Sequence, residues 1–323
     1  MKKFLALISA LLLMAMLLTG CAGESVSQSE AVRIGGLKGP TSMGMVKLMD
    51  DNEKGKTINK YEFTLAGSAD ELTPGLIKGD IDIAAIPANL ASILYNNTEG
   101  QIKLLAINTL GVLYIVERGD TIHSVDDLKG RTIIGSGKGS TPEFSLRYIL
   151  KENGLDPDED VSIEWKSEHT EVVQTLSQKE DVIALLPQPF VTVASSQLKD
   201  LHMALNLTDE WEKLGKGSTF ITGVLAVRKD FADSHPEQIS DFLKEYADSV
   251  SYVNSDPAGA SVLIEKNDIV KAAVAEKAIP YCNIVCISGE DMVIPMKGYL
   301  KVLYDADPKS VGGNLPGDDF YIQ

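Results

Sequence analysis

The sequence predicts an α/β protein built as two lobes, each a mixed sheet flanked by helices. Three observations carry that expectation. Strand-like and helix-like stretches alternate along nearly the whole chain, the pattern of βα units whose helices cover a largely parallel sheet. The alternation comes in two successive blocks, joined by strands and not by a long flexible linker. With 323 residues, 44% hydrophobic and 24% charged, the chain is long and apolar enough to bury two domains' worth of core.

The chain opens on a separate segment. Met1-Lys2-Lys3 is basic, and Phe4 to Leu18 is apolar apart from Ser9. That run is shorter than the roughly 20 residues a spanning helix needs. It ends in Leu18-Thr19-Gly20-Cys21, which resembles the lipobox of bacterial lipoproteins. The resemblance implies a signal peptide over 1–20, cut so that a lipid-modified Cys21 becomes the new N-terminus. The Ser/Glu/Gln-rich stretch from Gly23 to Glu30 has no packing face, so 21–30 reads as a flexible tether.

In the first block Ala31–Gly35 reads as a strand, followed by Gly36–Gly44 and a helical pattern through Met45, Leu48 and Met49. Strands at Tyr61–Leu65 and Ile81–Ile86 follow, with a helix over 69–78 between them and another near Leu90–Tyr95. Strands at Lys103–Asn108 and Leu113–Glu117 close the block. The second starts with a short helix at Ser124–Gly130 and a strand at Arg131–Ile134. Gly135–Pro142 then opens a helix carrying Phe144, Leu146, Tyr148 and Ile149; Ser140 or Thr141 suits its N-cap and Pro142 its first turn. Val161–Trp165 and Val182–Leu186 read as strands around a helix at Glu171–Gln178. A long strand at Thr219–Val227 and helices from Pro236, from about Asp256-Pro257 and over Gly289–Tyr304 complete the chain. Crossings near Asn108–Leu113 and Thr219–Thr222 divide it into lobe 1 (31–110 and 221–323) and lobe 2 (111–220).

Several chemistries are excluded. A formal net charge of −16, with only five arginines, is the wrong balance for holding nucleic-acid phosphates. His123, His169, His202 and His235 are scattered without metal-ligand spacing, and no Gly-x-Ser-x-Gly elbow occurs. Gly135–Thr141 fails the phosphate-loop pattern, since Gly139 follows Lys138 and Thr132 stands where the first glycine belongs. No cofactor and no metal is called for. Cys282 and Cys286, four residues apart in an extended stretch, are too distant to bond, so two buried free thiols are expected.

Val32-Arg33-Ile34-Gly35, Leu76-Ile77-Lys78-Gly79-Asp80-Ile81-Asp82, Ser124-Val125-Asp126-Asp127-Leu128-Lys129-Gly130-Arg131 and the tail Pro316-Gly317-Asp318-Asp319-Phe320-Tyr321 carry a family likeness. Together they resemble the solute-binding proteins of ABC importers, in the nitrate/sulfonate/taurine and thiamine-precursor group. The Ser-Val-Asp-Asp-Leu-Lys-Gly segment is the most specific of them. The resemblance spans nearly all of the chain after the leader and implies a type II periplasmic-binding-protein fold closing on a small molecule. It also implies delivery to an ABC permease and its ATPase, with the protein lipid-anchored on the extracytoplasmic face of the bacterial cytoplasmic membrane. An enzyme on the same fold and a ligand-sensing lipoprotein are the alternative readings.

In open α/β sheets ligands sit beyond the carboxyl ends of strands, near helix N-termini. Four loops meet that condition: Lys38–Met43, Pro87–Asn89, Gly137–Thr141 and Pro187–Phe190. The candidate ligand-binding residues are Lys38, Pro40, Thr41, Ser42, Met43, Pro87, Asn89, Tyr114, Gly139, Ser140, Thr141, Gln188, Pro189 and Phe190. Asn89 and Gln188 offer both donors and acceptors, and Tyr114 and Phe190 offer faces for a ring. Lys38 and Lys138 are the only cations in these loops, which tilts the ligand from a sulfonate-like anion toward a neutral or zwitterionic heterocycle.

Overall fold

The computed structural model describes residues 31–179, 181–214 and 217–323; the leader, Cys21 and the tether lie outside the described residues. Among the described residues, eleven strands form two sheets. They are β1 (Val32–Leu37), β2 (Tyr61–Ala66), β3 (Ile83–Pro87), β4 (Ile102–Leu110), β5 (Leu113–Arg118), β6 (Thr132–Ser136), β7 (Ser162–Lys166), β8 (Ile183–Pro187), β9 (Leu201–Asn206), β10 (Ile221–Arg228) and β11 (Ile284–Ser288). One sheet runs β11-β4-β10-β3-β1-β2 and the other β7-β6-β8-β5-β9.

Each sheet contains the same parallel trio, with β1 between β2 and β3 and β6 between β7 and β8. The remaining ladders are antiparallel, so each sheet is mixed, as expected, and less parallel than the βα alternation alone suggests. The cause is the way the chain changes sheets. Parallel neighbours need a long crossover, whereas β5 follows β4 after only Gly111-Val112, and β10 returns from the second sheet against the trio's direction. Central strands such as β3 and β4 are buried almost throughout, while edge strands β2 and β7 alternate, as strands with one covered face do.

The structure adds elements that the sequence pattern did not reveal. Helices at Phe190–Gln197, Leu207–Lys213, Lys229–Ser234 and Ala272–Ala278 are short, and edge strand β9 exposes His202 and Met203. Too few periods are present in such pieces for an apolar rhythm to show. Cys282 and Cys286 are free; Cys282 is buried against the Met43 sulfur at 3.9 Å. Cys286 is only half-buried because it lies on edge strand β11.

One apolar cluster runs continuously through both sheets. An aromatic stack bridges it: Trp211 lies flat on Phe220 with centroids 4.9 Å apart, and touches Tyr148 at 4.8 Å and Tyr299 at 5.6 Å. The two crossings between sheets run close together here. Gly111 is required on the first, since a β-carbon would stand 2.2 Å from the Thr208 hydroxyl and 2.7 Å from the Phe220 ring. The Thr222 hydroxyl on the second donates to the Leu110 carbonyl on the first.

At the opposite end of the first sheet, Asp82 fastens three strands. Its side chain is 2% exposed and accepts from the Arg33 guanidinium at 2.6 and 2.9 Å and from the Arg33 backbone N–H at 3.0 Å. Arg228 of β10 approaches the same carboxylate at 3.4 Å, and its backbone N–H donates to the Asp82 carbonyl. Removing one partner of such a buried pair strands the other charges, at about 3–5 kcal/mol. Asp82→Ala is expected to lower unfolding free energy by about that amount, measured in urea; an unchanged midpoint would exclude the network as a determinant of stability.

Candidate functional site

A cavity of about 570 Å³ lies between the two sheets. Its walls come from the carboxyl ends of all six parallel strands. From the first sheet these are Leu37–Thr41 after β1, Gly67–Asp70 after β2, and Pro87 with Leu90 after β3. From the second they are Ser136–Pro142 after β6, Trp165–His169 after β7, and Pro187 after β8. The crossings add Val112, Leu113 and Thr222. The two sheets contribute alike: Pro87 pairs with Gly223 and Pro187 with Leu113, so a proline closes each trio beside a strand that crosses over.

The helices behind these loops are capped by the protein itself. Glu71 accepts from the Ser68 N–H at 2.9 Å and the Ser68 hydroxyl at 3.0 Å, a capping box. In the same way Glu143 takes the Gly139 N–H at 2.6 Å and Glu171 the Ser167 N–H at 3.0 Å. Gln188 accepts from the Thr192 hydroxyl at 2.8 Å and its N–H at 3.3 Å.

Of the sequence candidates, Lys38, Pro40, Thr41, Pro87, Gly139, Ser140 and Thr141 line this cavity. Ser42, Met43, Asn89, Tyr114, Gln188, Pro189 and Phe190 are not among its lining residues. Ser42 and Met43 are fully buried in the first sheet's core. Asn89 joins the lobes: its amide donates to the Ser310 carbonyl at 2.9 Å, and its carbonyl accepts from the Thr141 hydroxyl at 3.1 Å. The Tyr299 hydroxyl also meets Thr141, at 3.3 Å. Tyr114 is half-buried within β5. Phe190 sits behind the wall with its ring 4.9 Å from that of His169. Lys38 is engaged by Asp268 at 2.8 Å, and the ammonium holds that carboxyl below its ordinary range.

Sequence reasoning missed the β2 and β7 loops, although the same rule about strand ends covers them. Their signals were legible: a glutamate three to four residues after a serine, at Ser68…Glu71 and Ser167…Glu171. Glu168 reaches across from the second sheet to Gly67, where a β-carbon would stand 2.6 Å from its carboxylate. Ser136 and His169 form a hydroxyl–imidazole pair through Nδ1 within the cavity wall. Burial pushes the His169 imidazole down to about 4, so it is neutral at physiological pH. Among the described residues no group of His, Cys, Asp and Glu is placed to hold a metal ion, and no helix is long and apolar enough to cross a membrane.

Two α/β lobes with a cavity between their strand ends define the class of two-lobed binding proteins. Residues 52–274 match the family of ABC transporter, phosphonate, periplasmic substrate-binding proteins, and the chain belongs to that family. Among solved structures it is similar to an ABC transporter from Parabacteroides distasonis, at 23% identity and TM-score 0.75 over 91% of this chain and 99% of that one. The aliphatic sulphonate-binding protein SsuA of Escherichia coli shows 16% identity and TM-score 0.71, over 91% of this chain and 92% of that. The nitrate-binding protein NrtA of Synechocystis PCC 6803 gives 14% and 0.59, over 76% and 68%. These likenesses fix the fold as that of periplasmic binding proteins. No curated protein matches the chain.

The position of His169 makes a pH dependence. Folded, its imidazole resists the proton down to about 4; unfolded, it takes one near its ordinary 6.5. Stability is therefore full above pH 6.5 and falls as pH drops toward 4, by roughly 3 kcal/mol at most. His169→Gln, which keeps a polar partner for Ser136, is expected to flatten the fall in Tm between pH 6.5 and 4. An identical slope in both proteins would assign the fall to other groups.

Proposed function

We propose that this chain is the lipid-anchored receptor of an ABC importer, capturing a small organic molecule between its lobes and passing it to a permease and ATPase. The observation that carries this reading is the cavity itself, walled by six strand ends drawn equally from two sheets. Lobes that meet through Thr141, Asn89, Tyr299, Gly67 and Glu168 shut a bound molecule away from water. The site residues are those of the wall: Lys38, Pro40, Thr41, Pro87, Gly139, Ser140 and Thr141 from the sequence, with Trp165, Ser136 and His169 added. The chain's periplasmic family supports a place outside the cytoplasmic membrane, and the leader with Cys21 supports the lipid anchor.

A hydrolytic reading would rest on the Ser136–His169 pair. An imidazole held at about 4 is a weak base at neutral pH, so the pair suits binding better than proton abstraction.

Two measurements test the proposal. Deleting the protein from its host is expected to abolish uptake of the cognate compound, with rescue by the full chain; undiminished uptake would remove the transport role. Cys21→Ser is expected to shift the protein from the membrane to the soluble fraction, and continued membrane retention would refute the anchor.

A further inference from the structure

Within the lipid-anchor reading, on which this inference rests, the tether confines the body to the membrane surface. The described residues begin at Ala31, directly before β1, at the end of the first sheet away from the cavity. Residues 22–30 separate Ala31 from Cys21, so the lipid lies within about 30 Å of that end. A tether of this length holds the body near the bilayer at roughly millimolar effective concentration, where a weak surface contact is enough to orient it.

Two segments flank Ala31. Residues 54–60 lead into β2, and the Lys60 carbonyl accepts from the Val32 N–H at 2.9 Å. The turn at 77–80 leads toward β3 on the other side of β1, where the Asp82 N–H donates to the Arg33 carbonyl at 2.8 Å. These segments hold Lys54, Lys56, Lys60 and Lys78 against one carboxylate, Asp80, in a chain whose net charge is −16. Glu62, exposed on edge strand β2, borders them. Lys54 is engaged by Asp50 at 2.5 Å. Lys56, Lys60 and Lys78 are exposed and have no ion-pair partner among the described residues. Between them stand two outward-facing isoleucines, Ile58 at 68% exposure and Ile77 at 52%. Apolar side chains set among unpaired ammoniums match a bilayer interface, where hydrocarbon enters the headgroup layer and lysines reach phosphates.

We infer that this end of the first lobe rests on anionic phospholipid headgroups, with Ile58 and Ile77 entering the interface and Lys56, Lys60 and Lys78 meeting phosphates. β1 runs from that end to the cavity wall over six residues, about 20 Å. The resting pose therefore turns the strand ends that wall the cavity away from the bilayer and toward the medium from which a solute arrives. Three lysines and two isoleucines make a contact weak enough to be left again for delivery.

The test uses the mature protein purified from its host's membranes and placed on two kinds of vesicle, phosphatidylcholine alone and an equal mixture with phosphatidylglycerol. A water-soluble acetylating reagent reads the reactivity of each lysine by mass spectrometry. Lys56, Lys60 and Lys78 are expected to react severalfold more slowly on the mixed vesicles. Salt at about 1 M restores their rates, because the screening length falls to about 3 Å. Lys277, exposed on the helix that packs against Phe190–Gln197 of the other lobe, keeps one rate on both vesicles. Lys60→Gln is expected to raise the reactivity of Lys56 and Lys78 on mixed vesicles about fivefold, with Tm unchanged. Equal rates for the three lysines on both vesicles, or equal slowing of Lys277, overturn the resting pose and leave the anchor intact. Failure to float with phosphatidylcholine vesicles refutes the anchor itself, and the pose falls with it.

Discussion

A carboxylate with almost no contact with water, held by two guanidiniums, sets the geometry of the first sheet. Asp82 precedes β3, Arg33 lies in β1 and Arg228 ends β10, so one side chain fastens three adjacent strands at the end away from the cavity. With that end pinned, the register is fixed along each strand. The opposite ends, Leu37, Pro87 and Thr222, arrive together at the cavity wall. A buried ion group is a poor source of net stability, because desolvation offsets much of its Coulombic gain. Its value lies in excluding other registers, since a one-residue slip would leave charges unpaired in an apolar layer. The second sheet reaches the same trio arrangement with no equivalent described pair and relies on apolar packing of Ile115, Ile133 and Leu185.

Much of this architecture could be read from the residues. Apolar runs bounded by Gly, Pro and Asn marked the parallel strands, because buried central strands need continuous hydrophobic sequence. The βα order marked the loops that face the cavity. What could not be read was which polar side chains in those loops already had partners. Asn89 and Gln188 have the chemistry of ligand-binding amides, yet one joins the lobes and the other caps a helix. Lys38 looked like a free cation, and its partner Asp268 lies 230 residues away in sequence. Such pairings depend on tertiary distance, for which a local pattern carries no signal. His169 was visible only as one of four scattered histidines; its proximity to Ser136 comes from the β6–β7 pairing.

The acidity of the chain takes on a local meaning in the structure. Carboxylates are spread over the surface, but several near the cleft perform defined tasks. Glu71, Glu143 and Glu171 complete the first turns of three helices, Asp268 occupies Lys38, and Glu168 spans the gap to Gly67. The first four accept from donors close by, and Glu168 sets the space left beside Gly67.

The close passage of the two sheet-changing segments has a mechanical consequence. Gly111 on one nestles against Thr208 and Phe220 beside the other, and the Thr222 hydroxyl ties them together. Two straps bound side by side behave as one flat flexure: they bend easily across their common width and resist shear and twist. The straps thus favour bending over sliding or twisting where the chain changes sheets. A bulky residue at position 111 would do more than crowd a turn. By spreading the straps, it would change the stiffness and direction of that bend, and with it the precision with which the strand ends of the two sheets meet at the cavity.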